Sequence, residues 1–322
     1  MRKATKGWLI AATALTLAGC ILFTGVMTTM GWNFSKLSTE RYKTTEHTVT
    51  QPYHHITVDI DTADLTFVPS ENNDTKIVCH ANDKAAFAVT VENDTLHITH
   101  KDTRKWYERI AIISDEAAVT VYLPQGDYGK VSVHAATGDV AIPAAFTFDS
   151  ITVDVSTGDI TCDATANGDI TLTATTGDIT LDGVRAASLF TKVTSGDIQA
   201  ADITCAGDIA ANATTGDVIL NEVRCTNLKS HGTTGDMKLT DVIASQAFEL
   251  KRNTGDILFT DCDAAAITAK TTTGDITGNL LSDKVFTAKT TTGDVVVPAS
   301  AGDGKCTLSA TTGDITLTIK AH

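Results

Sequence analysis

Ten aspartates recur in one setting, Thr/Ser-Gly-Asp followed by an aliphatic residue or Met: Asp139, Asp159, Asp178, Asp197, Asp217, Asp236, Asp256, Asp275, Asp294 and Asp314. They are spaced 19 or 20 residues apart, so in a stacked repeat their carboxylates form a ladder. Such a ladder has two chemistries open to it. Each carboxylate can accept hydrogen bonds from turn amides, with Gly supplying the positive φ of the turn, or the row can bridge cations that screen its repulsion. Calcium-binding solenoids use nine-residue units with carboxylates in their turns, a pattern this chain lacks. The structural role is therefore the expected one. A second column points to anions: four residues before Gly stand His231, Lys251, Lys270 and Lys289, with Arg252 beside the second. Like charges repeated at about 4.8 Å suit an extended anionic polymer such as a teichoic acid or acidic glycan. A solvated lysine face is the competing expectation.

Catalytic patterns are not found, and no enzyme, metal or cofactor is expected. Polysaccharide-cleaving β-helices wall a cleft with long loops, whereas here the interval never leaves 19–20 residues. His54, His55, His80, His97 and His100 gather before the repeats; His97 and His100, three apart, fall short of a zinc set. An ice-binding Thr rank is broken, because the column three after Gly runs Ala141, Thr161, Thr180, Gln199, Ile219, Lys238, Leu258, Thr277, Val296, Thr316.

The elements that must carry these columns follow from alternation. Two after Gly stand Val140, Ile160, Ile179, Ile198, Val218, Met237, Ile257, Ile276, Val295 and Ile315. Seven before it stand Val131, Ile151, Ile170, Leu189, Ile209, Leu228, Phe248, Ile267, Phe286 and Cys306. Positions −7, −5, −3, +2 and +4 lean apolar or small while −4 and +3 vary, which is the period of strands with one buried face. A unit of about 20 residues with this pattern is one coil of a parallel β-solenoid. Ten coils make a rod roughly 45 Å long, and right-handed winding is the default. Gly168-Asp169 and Gly207-Asp208, near the middle of two coils, suggest a flattened coil with a second turn there.

Residues 7–35 carry no charge, and the stretch from Trp8 to Trp32 is long enough to cross a bilayer with Trp at both ends. Arg2, Lys3 and Lys6 precede it, which places the N-terminus in the cytoplasm and the rod outside. Leu17-Ala18-Gly19-Cys20 also reads as a lipobox, so a lipoprotein anchored at Cys20 is the alternative. The expected organisation is an anchor or signal segment over 1–32, a stalk over 33–45, an irregular β cap region over 46–130 and solenoid repeats over 131–322. The strand Ile315–Ile319 is expected to leave a blunt edge or to be covered by another molecule. Of seven cysteines, Cys162, Cys262 and Cys306 fall at inward positions, and Cys205 and Cys225 share a column with poor disulfide geometry, so free buried thiols are expected. A net charge of −14 argues against nucleic acid and against adsorption to anionic lipid.

The run Val119-Thr120-Val121-Tyr122-Leu123-Pro124, then Tyr128-Gly129-Lys130-Val131 and Thr137-Gly138-Asp139-Val140, resembles the bacterial "putative adhesin" β-strand-repeat domain family of unknown function. The apolar span followed by Phe34-Ser35-Lys36-Leu37 is similar to its membrane-anchored Gram-positive type, and the resemblance covers nearly the whole chain from about residue 46. It implies a β-solenoid at the cell envelope and supplies no catalytic residues. The expected function is a membrane-anchored, extracytoplasmic module that binds wall polymers, glycans or an envelope protein; the alternative is a regulatory or structural partner of a membrane protein complex in the envelope stress response.

Overall fold

The computed structural model describes residues 3–32, 42–82, 85–103 and 117–320. One helix, Lys3–Thr29, comes first. Its Gly7–Thr29 stretch is long and apolar enough to span a membrane. The threonine hydroxyls within it are satisfied locally: Thr13, Thr16, Thr24 and Thr28 each donate to the carbonyl four residues earlier. That pairing is what an apolar surrounding demands of a polar side chain.

The rest of the described chain is β-structure wound into a solenoid. In the coil around Gly177 the inward residues are Ile170, Leu172, Ala174, Ile179, Leu181, Val184 and Ala186, none more than 8% exposed. The period-2 alternation thus runs along three sides, and equivalent residues of adjacent coils pair in register, as Ile151 with Ile170 and Ile170 with Leu189. The six cysteines outside the helix are all free and buried. Burial pushes the thiols of Cys79, Cys162, Cys205, Cys225 and Cys306 up to about 12 and that of Cys262 to about 11. They pack as small apolar groups rather than as nucleophiles.

Three corners bend each coil. The first is Thr-Gly-Asp, where the ten repeat glycines have φ between 120° and 141°. The second lies six residues later, where Gly183, Asp202, Glu222, Asp241 and Asp261 occupy the left-handed region with φ of 50–68°. The turn expected at Gly168 and Gly207 is instead the third corner. There Asp149, Gly168, Ala187, Gly207 and Thr226 form a chain of backbone hydrogen bonds, each 2.8 Å.

Coil order departs from chain order at both ends. His55–Thr62 pairs in parallel with Asp127–Thr137 on one side and with Thr95–Asp102 on the other. Asp64–Pro69 likewise lies between Val140–Ile142 and Ala118–Leu123. The region read as an irregular cap therefore contains two coils of the same solenoid. Among the described residues, only its outermost strands are antiparallel: Tyr42–Val49 on Thr75–Asn82, Thr75–Asn82 on Ala118–Leu123, and Ala85–Glu92 on Thr95–Asp102. At the other end, Gly304–Ser309 and Ile315–Ile319 insert between the coil of Gly274 and the coil of Gly293. The last strand is thus inside the stack rather than at a blunt edge. The open edge belongs to residues 284–296, where Val285, Val295 and Val296 are 45%, 41% and 58% exposed.

A Cβ built on Gly196 would stand 2.1 Å from the Gly177 carbonyl oxygen, and Gly196 has φ 141°. One on Gly183 meets nothing within 4 Å. Gly196→Ala is expected to destabilise by about 3 kcal/mol or more, from strain and overpacking together, and Gly183→Ala by only about 1 kcal/mol. Urea melts of the two variants check the contrast; equal losses would mean the close approach is relieved elsewhere.

Candidate functional site

The Thr-Gly-Asp corner is built by reciprocal hydrogen bonds between coils. Each repeat glycine except Gly293, in the outermost coil, donates its N–H to the threonine or serine carbonyl of the next coil in the stack, as Gly158 to Thr176 at 2.9 Å and Gly177 to Ser195 at 3.0 Å. Each aspartate amide donates to the Oδ1 of the preceding aspartate. The row runs Asp64, Asp139, Asp159, Asp178, Asp197, Asp217, Asp236, Asp256, Asp275, Asp314, Asp294, with bonds of 2.7–2.9 Å. A carboxylate accepting an N–H in this way makes a charge-assisted bond, so the ladder is occupied by its own backbone. Among the described residues no group of three His, Cys, Asp or Glu side chains could hold a metal. Asp64, in Thr62-Ala63-Asp64, extends the row by one coil beyond the repeats.

Pairing on the strand before Gly decides the cationic column. His231 pairs with Lys251 and Lys251 with Lys270. Lys270 then meets Ser309, and Ser309 meets Lys289. Lys289 is therefore one coil further from Lys270 than chain order implies. Arg252 is not part of the outer row: it occupies the inward position −3 and is 1% exposed. In the other direction Lys192 pairs with Asn212, whose Oδ1 accepts the His231 N–H at 3.0 Å. Lys192 extends the cationic column, and its place four before Gly196 was readable from the spacing.

Lys192, Asn212, His231 and Lys251, but not Lys270 or Lys289, line a shallow depression of about 500 Å³ with Phe190, Thr214, Lys229, Gly232, Thr233 and Asn253. It exists because Ala210, small, lies between Phe190 and Lys229 in their column. Glu249 answers part of the charge, 3.3 Å from Lys229 and 3.4 Å from His231. Lys229, then His231, hold its carboxyl below the usual range. Lys192 and Lys251 are exposed and, among the described residues, have no carboxylate within ion-pair distance.

Beneath the depression the core turns polar and small. Ala211, Ala213 and Ser230 are inward residues, and Gly232 occupies the inward column where Arg252 stands one coil on. A Cβ on Gly232 would lie 2.2 Å from Nη1 of Arg252, so the guanidinium fills the space that glycine leaves. Its Nε and Nη2 have no hydrogen-bond partner. Burial lowers its pKa to about 10, against the opposing pull of Asp217 and Asp236. It remains a cation at neutral pH, inside the rod and close under the floor.

The N-terminal histidines are not brought together into a site. His97 is on the outer face of its strand, while His100 is buried against the Phe87 ring at 4.3 Å. Nδ1 of His55 accepts the Lys130 N–H at 2.9 Å, and His54 lies 3.8 Å from Asp149.

The profile of the family described as Toastrack DUF4097 matches residues 53–212 and 186–322. Among solved structures, the chain is similar to a putative adhesin from Bacteroides fragilis NCTC 9343, with 15% identity and a TM-score of 0.43 over 88% of this chain and 99% of that one. It is similar also to a putative lipid binding protein from Parabacteroides distasonis ATCC 8503, with 14% identity and a TM-score of 0.48 over 75% and 97%. A putative adhesin from Parabacteroides merdae ATCC 43184 gives 11% and 0.47 over 86% and 96%. No curated protein matches.

Asp197→Ala leaves the Asp217 amide without its acceptor and is expected to cost about 1–3 kcal/mol. Asp197→Asn keeps an Oδ1 and is expected to cost less. Thermal melts at neutral pH compare the two; an Asn variant as damaged as Ala would show that charge, not the hydrogen bond, holds the turn.

Proposed function

We propose that this chain, which belongs to the Toastrack DUF4097 family, is a membrane-anchored rod that binds anionic polymers of the cell envelope through its cationic outer face. One observation carries the reading. On a protein of net charge −14, Lys192, His231, Lys251 and Lys270 collect in one outward column, with Lys192 and Lys251 free of carboxylate partners among the described residues. Charges repeated along a rod meet a repeating polymer as many weak, equivalent contacts, so avidity replaces a deep pocket. The apolar helix serves as the anchor, with Lys3 and Lys6 on the cytoplasmic side and the solenoid outside. Adhesion to envelope material fits this arrangement and agrees with the name given to several of its structural neighbours.

A second reading has its own observation. The open edge at residues 284–296 exposes strand backbone with Val285, Val295 and Val296, the kind of edge a protein strand extends. Under that reading the chain is a partner of a membrane complex.

Co-sedimentation of the full chain, in a neutral detergent, with purified cell walls across a salt series separates the two. Binding that fades with salt, and is weakened by Lys192→Gln, Lys251→Gln and Lys270→Gln together, is the expected result. Binding indifferent to salt and to the three changes would discard the electrostatic reading. Crosslinking to one membrane protein with no wall binding would favour the partner reading.

A further inference from the structure

The depression around Phe190 is more than a stretch of the cationic column. Outward position −6 carries Ser132, Thr152 and Thr171 before it and Ala210 after it, yet here it carries a phenylalanine 38% exposed to solvent. An aromatic ring on a face otherwise lined by polar or small residues is costly to leave in water. With Ala210 as its neighbour in the column, little side-chain bulk stands beside the ring on that side. Lys192 lies two residues along the same strand, and Lys251 closes the far end three coils on, about 14 Å away. Asn212, Asn253, Thr214 and Thr233 supply neutral donors and acceptors between them.

Resting on the polymer-binding reading above, we propose that this depression is a subsite for an acidic glycan, a chain of sugar rings bearing carboxylates. The ring and the cations ask for different things, and this ligand class supplies both. A pyranose has an apolar face that can lie on Phe190, which a flexible polyol-phosphate chain lacks. Its carboxylates meet Lys192 and Lys251, and its hydroxyls meet the amides and threonines. Arg252 adds a second, independent reason for an anion. Its guanidinium is buried against Gly232, which also lines the depression, and two of its nitrogens are unpartnered. Asp217 and Asp236 offset this charge in part; in the low-dielectric interior the remainder acts across the floor, and an anion held above Gly232 adds to their effect without touching the guanidinium.

The test titrates the full chain, in neutral detergent, with oligogalacturonate, a neutral malto-oligosaccharide of equal length and poly(glycerol phosphate). Oligogalacturonate is expected to bind most tightly. Phe190→Ala should weaken it roughly five- to tenfold, with Phe190→Trp close to the wild type and Phe190→Leu close to Ala, because a flat face rather than apolar bulk is required. Lys192→Gln and Lys251→Gln should each weaken binding and flatten its salt dependence. Arg252→Met should lower affinity roughly two- to threefold through its charge alone; replacing a buried cation that lacks full hydrogen bonding with an apolar chain leaves the fold intact or firmer. The proposal is overturned if Phe190→Ala binds oligogalacturonate as the wild type does, or if the neutral glycan or the phosphate polymer binds equally well. Salt-sensitive wall binding without oligogalacturonate binding would remove the subsite and leave the polymer reading standing, whereas loss of both would remove both.

Discussion

Everything in this structure depends on how closely one coil approaches the next at the Thr-Gly-Asp corner. There the backbone of each glycine lies against the carbonyl of its predecessor, so near that a Cβ would sit 1.9–2.3 Å from the oxygen. That approach lets the aspartate amide reach the carboxylate of the coil before it, and the carboxylate ladder and the parallel strand pairing then share one spacing. The inward columns inherit that spacing, which is why Val140 through Ile276, with Ile315, stack into one core with almost no exposure, while Val295 lies on the open edge. Because every turn has the same geometry, the turns cannot distinguish one coil from another. What differs from coil to coil is carried by the outward residues.

That division explains what could be read from the sequence. Strict spacing and the two apolar columns dictate a β-solenoid, and the aspartates could be assigned to turns because Gly-Asp has a defined backbone meaning. The buried cysteines follow from alternation in the same way. Coil order was harder to read, since Asp294 and Asp314 stand in interchangeable turns at the same interval. Nothing local to either repeat says that the later one inserts beneath the earlier, yet that insertion puts Ser309 between Lys270 and Lys289. Ala63 hides the coil of Asp64 for another reason: its outer neighbour is the strand Ala118–Leu123 and not another Thr-Gly-Asp turn, so Gly is not required. The pattern Thr62-Ala63-Asp64-Leu65 was nevertheless there to find.

Arg252 shows the cost of reading a charge by its type before its phase. Position −3 is inward in every neighbouring coil, as Ala213 and Leu250's own strand indicate, and Gly232 one coil earlier leaves room for a long side chain. The depression at Phe190 was illegible for the opposite reason. A lone aromatic at an outward position means little until pairing shows Ala210 beside it and Lys192, Asn212, His231 and Lys251 along its length. Spacing places residues in columns, but concavity depends on the sizes of neighbours three coils away.

The stacking order along the turn ladder, in which Asp314 lies between Asp275 and Asp294, is tested most directly by amide hydrogen exchange at its final two members. Gly313 and Ile315 donate to Thr292 and Asp294 at 2.9 Å, which makes the coil of Gly293 the outermost. The account predicts slow exchange at Gly313 and Ile315 and fast exchange at Gly293 and Val295, whose amides face away from the stack. The reverse pattern, protected Gly293 and Val295 with exposed Gly313 and Ile315, would mean that the coils stack in chain order and would restore Lys289 as the neighbour of Lys270.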